Sequence, residues 1–205
     1  MIRAVIFDLD GVIRHFDPET TADIERRRGV ASGTIASVAF AKTRIEPLTT
    51  GRLSRADWIA SIGEALGDPA AAVEWGMQPV RLDAEVLALA RQLSGAGIRP
   101  AILTNGTDTI SAETTRLGLT ALFEPIINTA EIGFAKPDAR AFFHVLDALR
   151  CEPGDAFFTD DSATNVAAAA ALGMHAHHFR SASGLRAALG ERGVTMGEEP
   201  VSVRS

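Results

Sequence analysis

Two aspartates, Asp8 and Asp10, follow an apolar run near the start of the chain, in the sequence VIFDLDG over residues 5–11. A second acidic pair, Asp160 and Asp161, follows another apolar run. Carboxylates of this kind can act as nucleophiles, move protons or bind hard cations. If the four converge they also repel, because two unit charges about 4 Å apart interact by roughly 4 kcal/mol at an effective dielectric near 20. The pattern therefore predicts a bound cation, and oxygen ligands favour Mg²⁺.

A hydroxyl and an amide side chain follow a third apolar run, in LTNG over residues 103–106. A helix is predicted to begin near Thr107, so that free backbone N–H groups and the positive end of the helix dipole face the same point. We expect an anion site there, formed by Thr104, Asn105 and Gly106.

Lys136 stands in the segment GFAKPDA, residues 133–139, just before another predicted helix. The chain has 20 basic residues, and only Lys42 and Lys136 among them are lysine. A compact ammonium differs from the planar guanidinium that the chain uses elsewhere. We expect Lys136 to neutralise a phosphoryl oxygen or one of the aspartates.

Short continuous apolar runs predict five strands that are covered on both faces, as in a parallel sheet. Helices are predicted between them, which indicates βαβ units in a doubly wound, mainly parallel α/β sheet. In such a sheet ligands bind beyond the carboxyl ends of the strands, where the polar segments above would meet. The predicted strands are residues 3–8, 99–104, 125–128, 156–160 and 174–179; the helices are 83–93, 107–117, 138–149 and 162–172.

The interval after the first strand breaks this alternation and predicts a small all-helical domain. Ser54 and Asp57 resemble a capping box, with an apolar stripe behind them. We therefore predict a cap domain over residues 15–79, inserted into a core formed by residues 1–14 and 80–205. The predicted helices of the insert are 20–28, 34–43, 54–66 and 69–75.

Four segments, taken in order, resemble the four motifs of the haloacid dehalogenase-like (HAD) superfamily. They are DLDGV at 8–12, LTNG at 103–106, FAKPD at 134–138 and TDDSATN at 159–165. The resemblance covers residues 1–13 and about 82–179, and the insert matches as an α-helical, C1-like cap placed after the first motif. It implies a HAD-like core and a phosphatase that hydrolyses a small phosphomonoester.

The resemblance also implies a role for each matching residue. Asp8 would attack phosphorus and form an aspartyl phosphate, and Asp10 would act as general acid and then as general base. Mg²⁺ would be held by Asp8, the backbone carbonyl of Asp10 and Asp161, with Asp160 as a second ligand or a water-holder. Thr104, Lys136 and the helix amides would stabilise the transferring phosphoryl group.

The resemblance does not fix the roles of four further polar residues. Arg14 and His15 either face the substrate or are solvated hinge residues between cap and core. Asn165 is neutral where relatives often carry a carboxylate, so we expect it to orient waters or Asp161. Arg44, within the predicted cap, is our expectation for substrate selection.

Three other functions remain open at this stage. A phosphomutase would keep every catalytic residue and pass the phosphoryl group to a second hydroxyl. A 2-haloacid dehalogenase also uses an aspartate nucleophile, but Asp10 speaks against it because the resemblance implies that dehalogenases lack this second aspartate. A binding protein without catalysis is disfavoured by the intact Asp8, Asp10, Lys136 and Asp161.

Charge and composition narrow the possible partners. The formal net charge of −6 argues against binding to a nucleic-acid backbone. No apolar stretch approaches the roughly 20 residues that a membrane span needs, and we expect a cytoplasmic protein that acts on a small phosphorylated metabolite. The single cysteine, Cys151, excludes an intrachain disulfide and a cysteine-based zinc site.

Overall fold

The computed structural model describes residues 1–195; residues 196–205, the end of the predicted core segment, lie outside the described part. Five strands form one sheet in the order β5-β4-β1-β6-β7, and neighbouring strands are parallel throughout. A separate antiparallel pair joins β2 to β3. In chain order, β1 to β7 are Ala4–Phe7, Arg14–Phe16, Val80–Leu82, Arg99–Thr104, Ile126–Asn128, Ala156–Asp160 and His175–His178.

Helices cover both faces of the five-stranded sheet. Val5 and Phe7 of the central strand β1 pack on one face, whereas Ala4 and Ile6 pack on the other, and all four are fully buried. This two-sided burial explains why the strand is a continuous apolar run. In chain order, α1 to α11 are Pro18–Arg28, Thr34–Ala39, Lys42–Thr49, Arg55–Leu66, Pro69–Gly76, Ala84–Gly95, Ile110–Arg116, Thr129–Ile132, Ala139–Leu149, Ala163–Ala171 and Ala182–Gly190.

The two helical layers follow from the apolar stripes of the helices. Residues of α6 and α11, such as Leu89 and Leu185, belong to the same buried cluster as Phe7. Residues of α9 and α10, such as Phe142 and Ala169, share a cluster with Ile6. The predicted fold class, a doubly wound, mainly parallel α/β sheet with a helical insertion after the first strand, is confirmed.

Helices α1 to α5, residues 18–76, are called the helical segment below. The segment has its own buried apolar cluster, which includes Ile24, Ile62 and Trp75. Three of its helices begin at the side-chain caps Asp17, Ser54 and Asp68, each of which accepts a backbone N–H of the first turn.

The single helix predicted over residues 34–43 is wrong. The chain forms α2 and α3 instead, separated at Phe40 and Ala41, and Ala41 has an extended backbone with φ −56° and ψ 135°. The indole N–H of Trp58 donates to the carbonyl of Ala39 at 3.0 Å. This bond, from a helix distant in sequence, satisfies a carbonyl that a continuous helix would have used internally.

The antiparallel pair of β2 and β3 was missed by sequence reasoning and lies at both predicted domain boundaries. The helical segment also contacts the sheet-forming part directly. The Arg55 N–H donates to Asp108 Oδ1 at 2.8 Å, and the Thr129 hydroxyl donates to the carbonyl of Thr49 at 2.8 Å. Within residues 1–195, no helix has the length and apolar character needed to cross a membrane.

Candidate active site

Three carboxylates meet at the carboxyl ends of β1 and β6. Asp8 follows β1, Asp160 ends β6 and Asp161 follows it; the two strands pair in parallel, with Phe7 opposite Thr159. Each carboxylate offers an oxygen, and these oxygens lie within 4.8 Å of one another. Asp8 and Asp160 are buried, whereas Asp161 is exposed. We call these three residues the acidic cluster.

The ammonium group of Lys136 bridges two members of the cluster. It donates to Asp8 Oδ1 at 2.8 Å and to Asp160 Oδ2 at 2.7 Å, and its side chain is only 1% exposed. Asn105 fixes the backbone of this lysine, because its amide donates to the Lys136 carbonyl at 2.9 Å and accepts the Lys136 N–H at 2.8 Å. Two segments that are 31 residues apart are thereby locked together.

The Asp8 carboxylate is divided between two environments. Its Oδ1 accepts both the Lys136 ammonium and the backbone N–H of Leu9, the latter at 2.8 Å. Its Oδ2 accepts no hydrogen bond from the part of the chain that the structure describes. One oxygen is therefore oriented by the protein, while the other is left for chemistry or for a cation.

Burial and neighbouring charges both shift the pKa values of Asp8, Asp161 and Lys136. Burial and the neighbouring Asp160 charge raise the pKa of Asp8 to about 7, although Lys136 opposes the rise. Burial lowers the pKa of Lys136, but the charges of Asp8 and Asp160 outweigh it and raise that pKa above its ordinary value. Burial, with the Asp160 charge, also raises the pKa of Asp161. Three carboxylates and one ammonium leave a net charge of about −2 when all are ionised, which suits a divalent cation.

Both oxygens of Asp160 are already occupied by protein donors. The Ser162 N–H donates to Oδ1 at 2.8 Å, and the Asn165 amide lies 3.2 Å and 3.0 Å from Oδ1 and Oδ2, respectively. With the Lys136 ammonium on Oδ2, the carboxylate is held rigidly. Asn165 was expected to orient waters or Asp161; the structure places its side-chain amide on Asp160 and not on Asp161.

Gly11 is needed where the loop after β1 approaches Asp161. Its φ is +85°, and a Cβ built there would lie 2.2 Å from Asp161 Oδ2. Any other residue would be strained by this backbone conformation and would also displace the carboxylate. Sequence reasoning gave this glycine no role of its own.

Asp10 lies beside the acidic cluster but is held by a different partner. The guanidinium of Arg14 donates from Nε to Asp10 Oδ1 at 2.5 Å and from Nη2 to Oδ2 at 2.9 Å. Its Nη1 donates to Glu113 Oε2 at 2.5 Å. Arg14 is therefore neither a solvated hinge residue nor a free cation. Glu113 was missed because it lies 99 residues away in sequence and has no local signal.

The helix at the predicted anion site begins later in the chain than expected. Thr104 is buried at the end of β4, as expected, but α7 begins at Ile110 and not at Thr107. Residues 107–109 form a turn, in which the Thr107 carbonyl accepts the Asn128 amide at 2.8 Å. A Cβ on Gly106 would lie 2.3 Å from Ile110 Cγ1, so that only glycine fits this turn without rearrangement.

Two other predicted residues are not bonded to the acidic cluster. Arg44 is on α3, half-buried, and makes no ion pair within residues 1–195. His15 is on β2, and its Nε2 lies 3.3 Å from Asp83 Oδ2. Within residues 1–195, neither residue has a hydrogen bond or an ion pair to Asp8, Asp160 or Asp161, although His15 and Asp161 line the same pocket.

Comparison with known proteins identifies relatives of this chain. The family model described as haloacid dehalogenase-like hydrolase matches residues 2–173. The chain is 26% identical over 182 residues to a sesquiterpene phosphatase of Aspergillus oryzae, covering 86% of this chain and 89% of that protein. It is 29% identical over 205 residues to a phosphatase of Mycobacterium tuberculosis, covering 86% of each.

The fold of the chain is also similar to that of a solved structure. A HAD-family enzyme of Bacteroides thetaiotaomicron, crystallised with magnesium and inorganic phosphate, is similar with a TM-score of 0.72 at 21% identity, covering 88% of this chain and 95% of the other. At this identity the likeness concerns the fold alone. Because the family model spans most of the sequence, the chain belongs to the haloacid dehalogenase-like hydrolases.

Proposed function

We propose that this protein is a Mg²⁺-dependent phosphatase that hydrolyses a small phosphomonoester through an aspartyl phosphate on Asp8. The observation that carries the proposal is the buried ammonium of Lys136, shared by Asp8 and Asp160 within an all-oxygen acidic cluster. Two relatives that match over most of their length are named as phosphatases, which supports the same chemistry.

The donor set fits a hard divalent cation. Asp8 and Asp161 supply carboxylate oxygens, and the backbone carbonyl of Asp10 is a third donor in our proposal. Asp160 is less suited to direct ligation, because protein N–H groups occupy both of its oxygens. When bound, Mg²⁺ would polarise the phosphoryl group and offset the negative charge that develops on it.

The protein residues would divide the reaction into two displacements. In the first, an Asp8 oxygen attacks phosphorus, the bond to the ester oxygen breaks, and Asp10 gives that oxygen a proton. In the second, Asp10 takes a proton from water as the water attacks phosphorus. The bond between phosphorus and Asp8 then breaks and releases inorganic phosphate. Lys136 would stabilise the charge on the phosphoryl oxygens and keep Asp8 oriented.

Substrate binding is assigned by the same proposal. Thr104, Asn105 and Gly106 would surround the phosphoryl group together with Lys136. Residues 15–79 would act as a cap that excludes water from this site, with Arg44 as a candidate for contacting the rest of the substrate. The separate apolar cluster of the helical segment supports its treatment as a distinct unit.

The direct test is a phosphate-release screen with Mg²⁺ over sugar phosphates, small carboxylated phosphates and an isoprenyl monophosphate. We expect the Asp8→Asn variant to lose about 10³-fold or more of the native activity, because the nucleophile is removed. Asp147→Asn is a matched control, since Asp147 is exposed on α9 and makes no ion pair within the described residues. An Asp8→Asn variant as active as the native chain would contradict the proposal.

The same screen separates the alternatives. A phosphomutase would isomerise a sugar phosphate and release little inorganic phosphate. A dehalogenase would release halide from a 2-haloacid and would not require Asp10. A non-catalytic protein would bind phosphomonoesters without turnover of any member of the panel.

A further inference from the structure

Arg14 is buried between two carboxylates that come from distant parts of the chain. Its side chain is 6% exposed, and its guanidinium uses three of its nitrogens, two toward Asp10 and one toward Glu113. We call Asp10, Arg14 and Glu113 the Arg14 triad. A bidentate guanidinium–carboxylate pair fixes the plane of the carboxylate as well as its position.

The backbone of Arg14 is hydrogen-bonded to the loop that carries Asp10. The Arg14 N–H donates to the Leu9 carbonyl at 2.8 Å, and the Gly11 N–H donates to the Arg14 carbonyl at 2.8 Å. The loop that carries Asp10 is thus closed upon the residue that binds its side chain. Arg14 also begins β2, which pairs with β3 where the chain enters and leaves the helical segment.

Glu113 ties the triad to the loop after β4. Its Oε1 accepts the hydroxyl of Thr109 at 2.6 Å, and the Thr109 and Thr107 hydroxyls lie 2.8 Å apart. Thr107 directly follows Gly106 of the proposed phosphoryl-binding loop. The guanidinium is therefore held by Glu113 on α7 as well as by Asp10, and the loop residue Thr109 in turn holds Glu113.

The charges and exposures exclude Arg14 as a free phosphate ligand. Its single positive charge is shared by two carboxylates, so the triad is net negative when they are ionised. The Asp10 side chain, by contrast, is 42% exposed, and each of its oxygens keeps a lone pair that the guanidinium does not use. The Asp10 carboxylate is therefore the member of the triad that can still accept or donate a proton.

From these contacts we infer that Arg14, supported by Glu113, is a positioning residue that fixes the Asp10 carboxylate for proton transfer. The inference rests on the proposed phosphatase function and deepens it. The terminal torsion of an aspartate is broad, so an unsupported Asp10 would sample many orientations. Lysine in place of Arg14 keeps the charge but offers one ammonium instead of a planar fork.

The test uses two phosphomonoesters that differ in their need for a proton donor. p-Nitrophenyl phosphate releases a stable phenolate without protonation, whereas an alkyl phosphate releases an alkoxide that must be protonated. The value of kcat/KM reports the first displacement, in which Asp10 acts as acid. We expect Arg14→Lys to lower kcat/KM for the alkyl ester by about 10- to 100-fold, a partial loss of the roughly 10²- to 10⁴-fold that general acid catalysis contributes, and for the aryl ester by less than about threefold.

Two companion variants guard against misfolding and nonspecific effects. Glu113→Gln keeps the shape and loses one anchor of Arg14, so it should give a smaller loss with the same preference for the alkyl ester. Arg81→Lys is the control, because Arg81 lies opposite His15 in the same strand pair, is exposed and makes no ion pair within residues 1–195. Circular dichroism would establish that each variant is folded.

The outcomes are distinct. A selective loss on the alkyl ester in Arg14→Lys and Glu113→Gln supports the inference. Equal losses on both esters would indicate a structural role only, and unchanged or increased alkyl-ester activity in both variants would also overturn it. If the native protein hydrolyses neither ester nor any member of the phosphomonoester panel, the proposed function itself fails. That result differs from an active native protein whose alkyl-ester activity is unchanged by the two substitutions.

Discussion

Replacing Lys136 by methionine is the perturbation whose cost the structure defines best. The change removes the ammonium that bridges Asp8 and Asp160 and keeps an unbranched side chain of similar length. The oxygens of these carboxylates lie within 4.8 Å, where two unit charges repel by about 3.5 kcal/mol at an effective dielectric near 20. Removing one partner of a buried ion pair costs about 3–5 kcal/mol in other proteins. The repulsion is present in the native protein too, but the variant loses the attraction that offsets it, so we expect a loss of about 3–5 kcal/mol in the free energy of unfolding where both carboxylates are ionised.

This cost should depend on pH and on metal. The pKa of Asp8 is already about 7 with Lys136 present, so below that pH the carboxyl is protonated and the repulsion disappears. Removing Lys136 raises this pKa further, so above about pH 7 the variant loses up to about 1.4 kcal/mol more per pH unit than below it. We therefore expect a loss that is about 1–1.5 kcal/mol larger at about pH 8 than at about pH 5 in EDTA, with partial recovery in excess Mg²⁺ at the higher pH. Urea unfolding followed by circular dichroism measures each value.

The second lysine supplies the control. Lys42 is exposed at the start of α3 and makes no ion pair within the described residues, so Lys42→Met should change the free energy of unfolding by less than about 0.5 kcal/mol. A Lys136→Met loss below about 1 kcal/mol at pH 8, or a loss that does not change with pH, would refute the electrostatic reasoning.

Two further predictions concern the same pocket. Gly11→Ala should lower the free energy of unfolding by about 1–3 kcal/mol and weaken Mg²⁺ binding, because the added Cβ would meet Asp161. Gly29→Ala is the control for backbone strain alone, since Gly29 has φ +68° and open space around it. Equal effects of the two substitutions on Mg²⁺ binding would contradict the prediction. Without metal, the folded state binds more protons than the unfolded state between about pH 4 and 7, because burial raises the pKa of Asp8 to about 7. The stability that this group contributes is therefore lost as the pH rises through that window. In EDTA, the free energy of unfolding of Asp8→Asn relative to that of the native chain should rise by roughly 2–4 kcal/mol from pH 4 to pH 7.5. A difference between the two proteins that does not change with pH in urea unfolding would contradict this prediction.

The sheet and the polar strand ends could be predicted because they depend on local patterns. The buried strands are continuous apolar runs, and the helices α4 and α9 follow recognisable side-chain caps, Ser54 and Asp138. Lys136 stood out because the chain has only one other lysine. These signals are carried by neighbouring residues and do not require knowledge of the fold.

The features that were missed depend on contacts between distant segments. The break between α2 and α3 accompanies the indole bond from Trp58 to Ala39, 19 residues earlier. The pairing of β2 with β3 involves three residues on each side, too few for a period to be read. Arg14 and Glu113 meet only because the loop after β1 and helix α7 lie at the same end of the sheet. Neither residue carries a local signal of that meeting.

Both tryptophans of the chain, Trp58 and Trp75, lie in the helical segment, with ring centroids 5.4 Å apart, and the chain has no tyrosine. Indole emission therefore reports on this segment alone, while far-ultraviolet dichroism reads all the helices and strands. Phe40, 58% exposed, has its ring centroid 6.1 Å from that of Trp75, so a ligand covering this edge would alter the emission. A single fluorimeter titration can thus follow the segment without any attached dye.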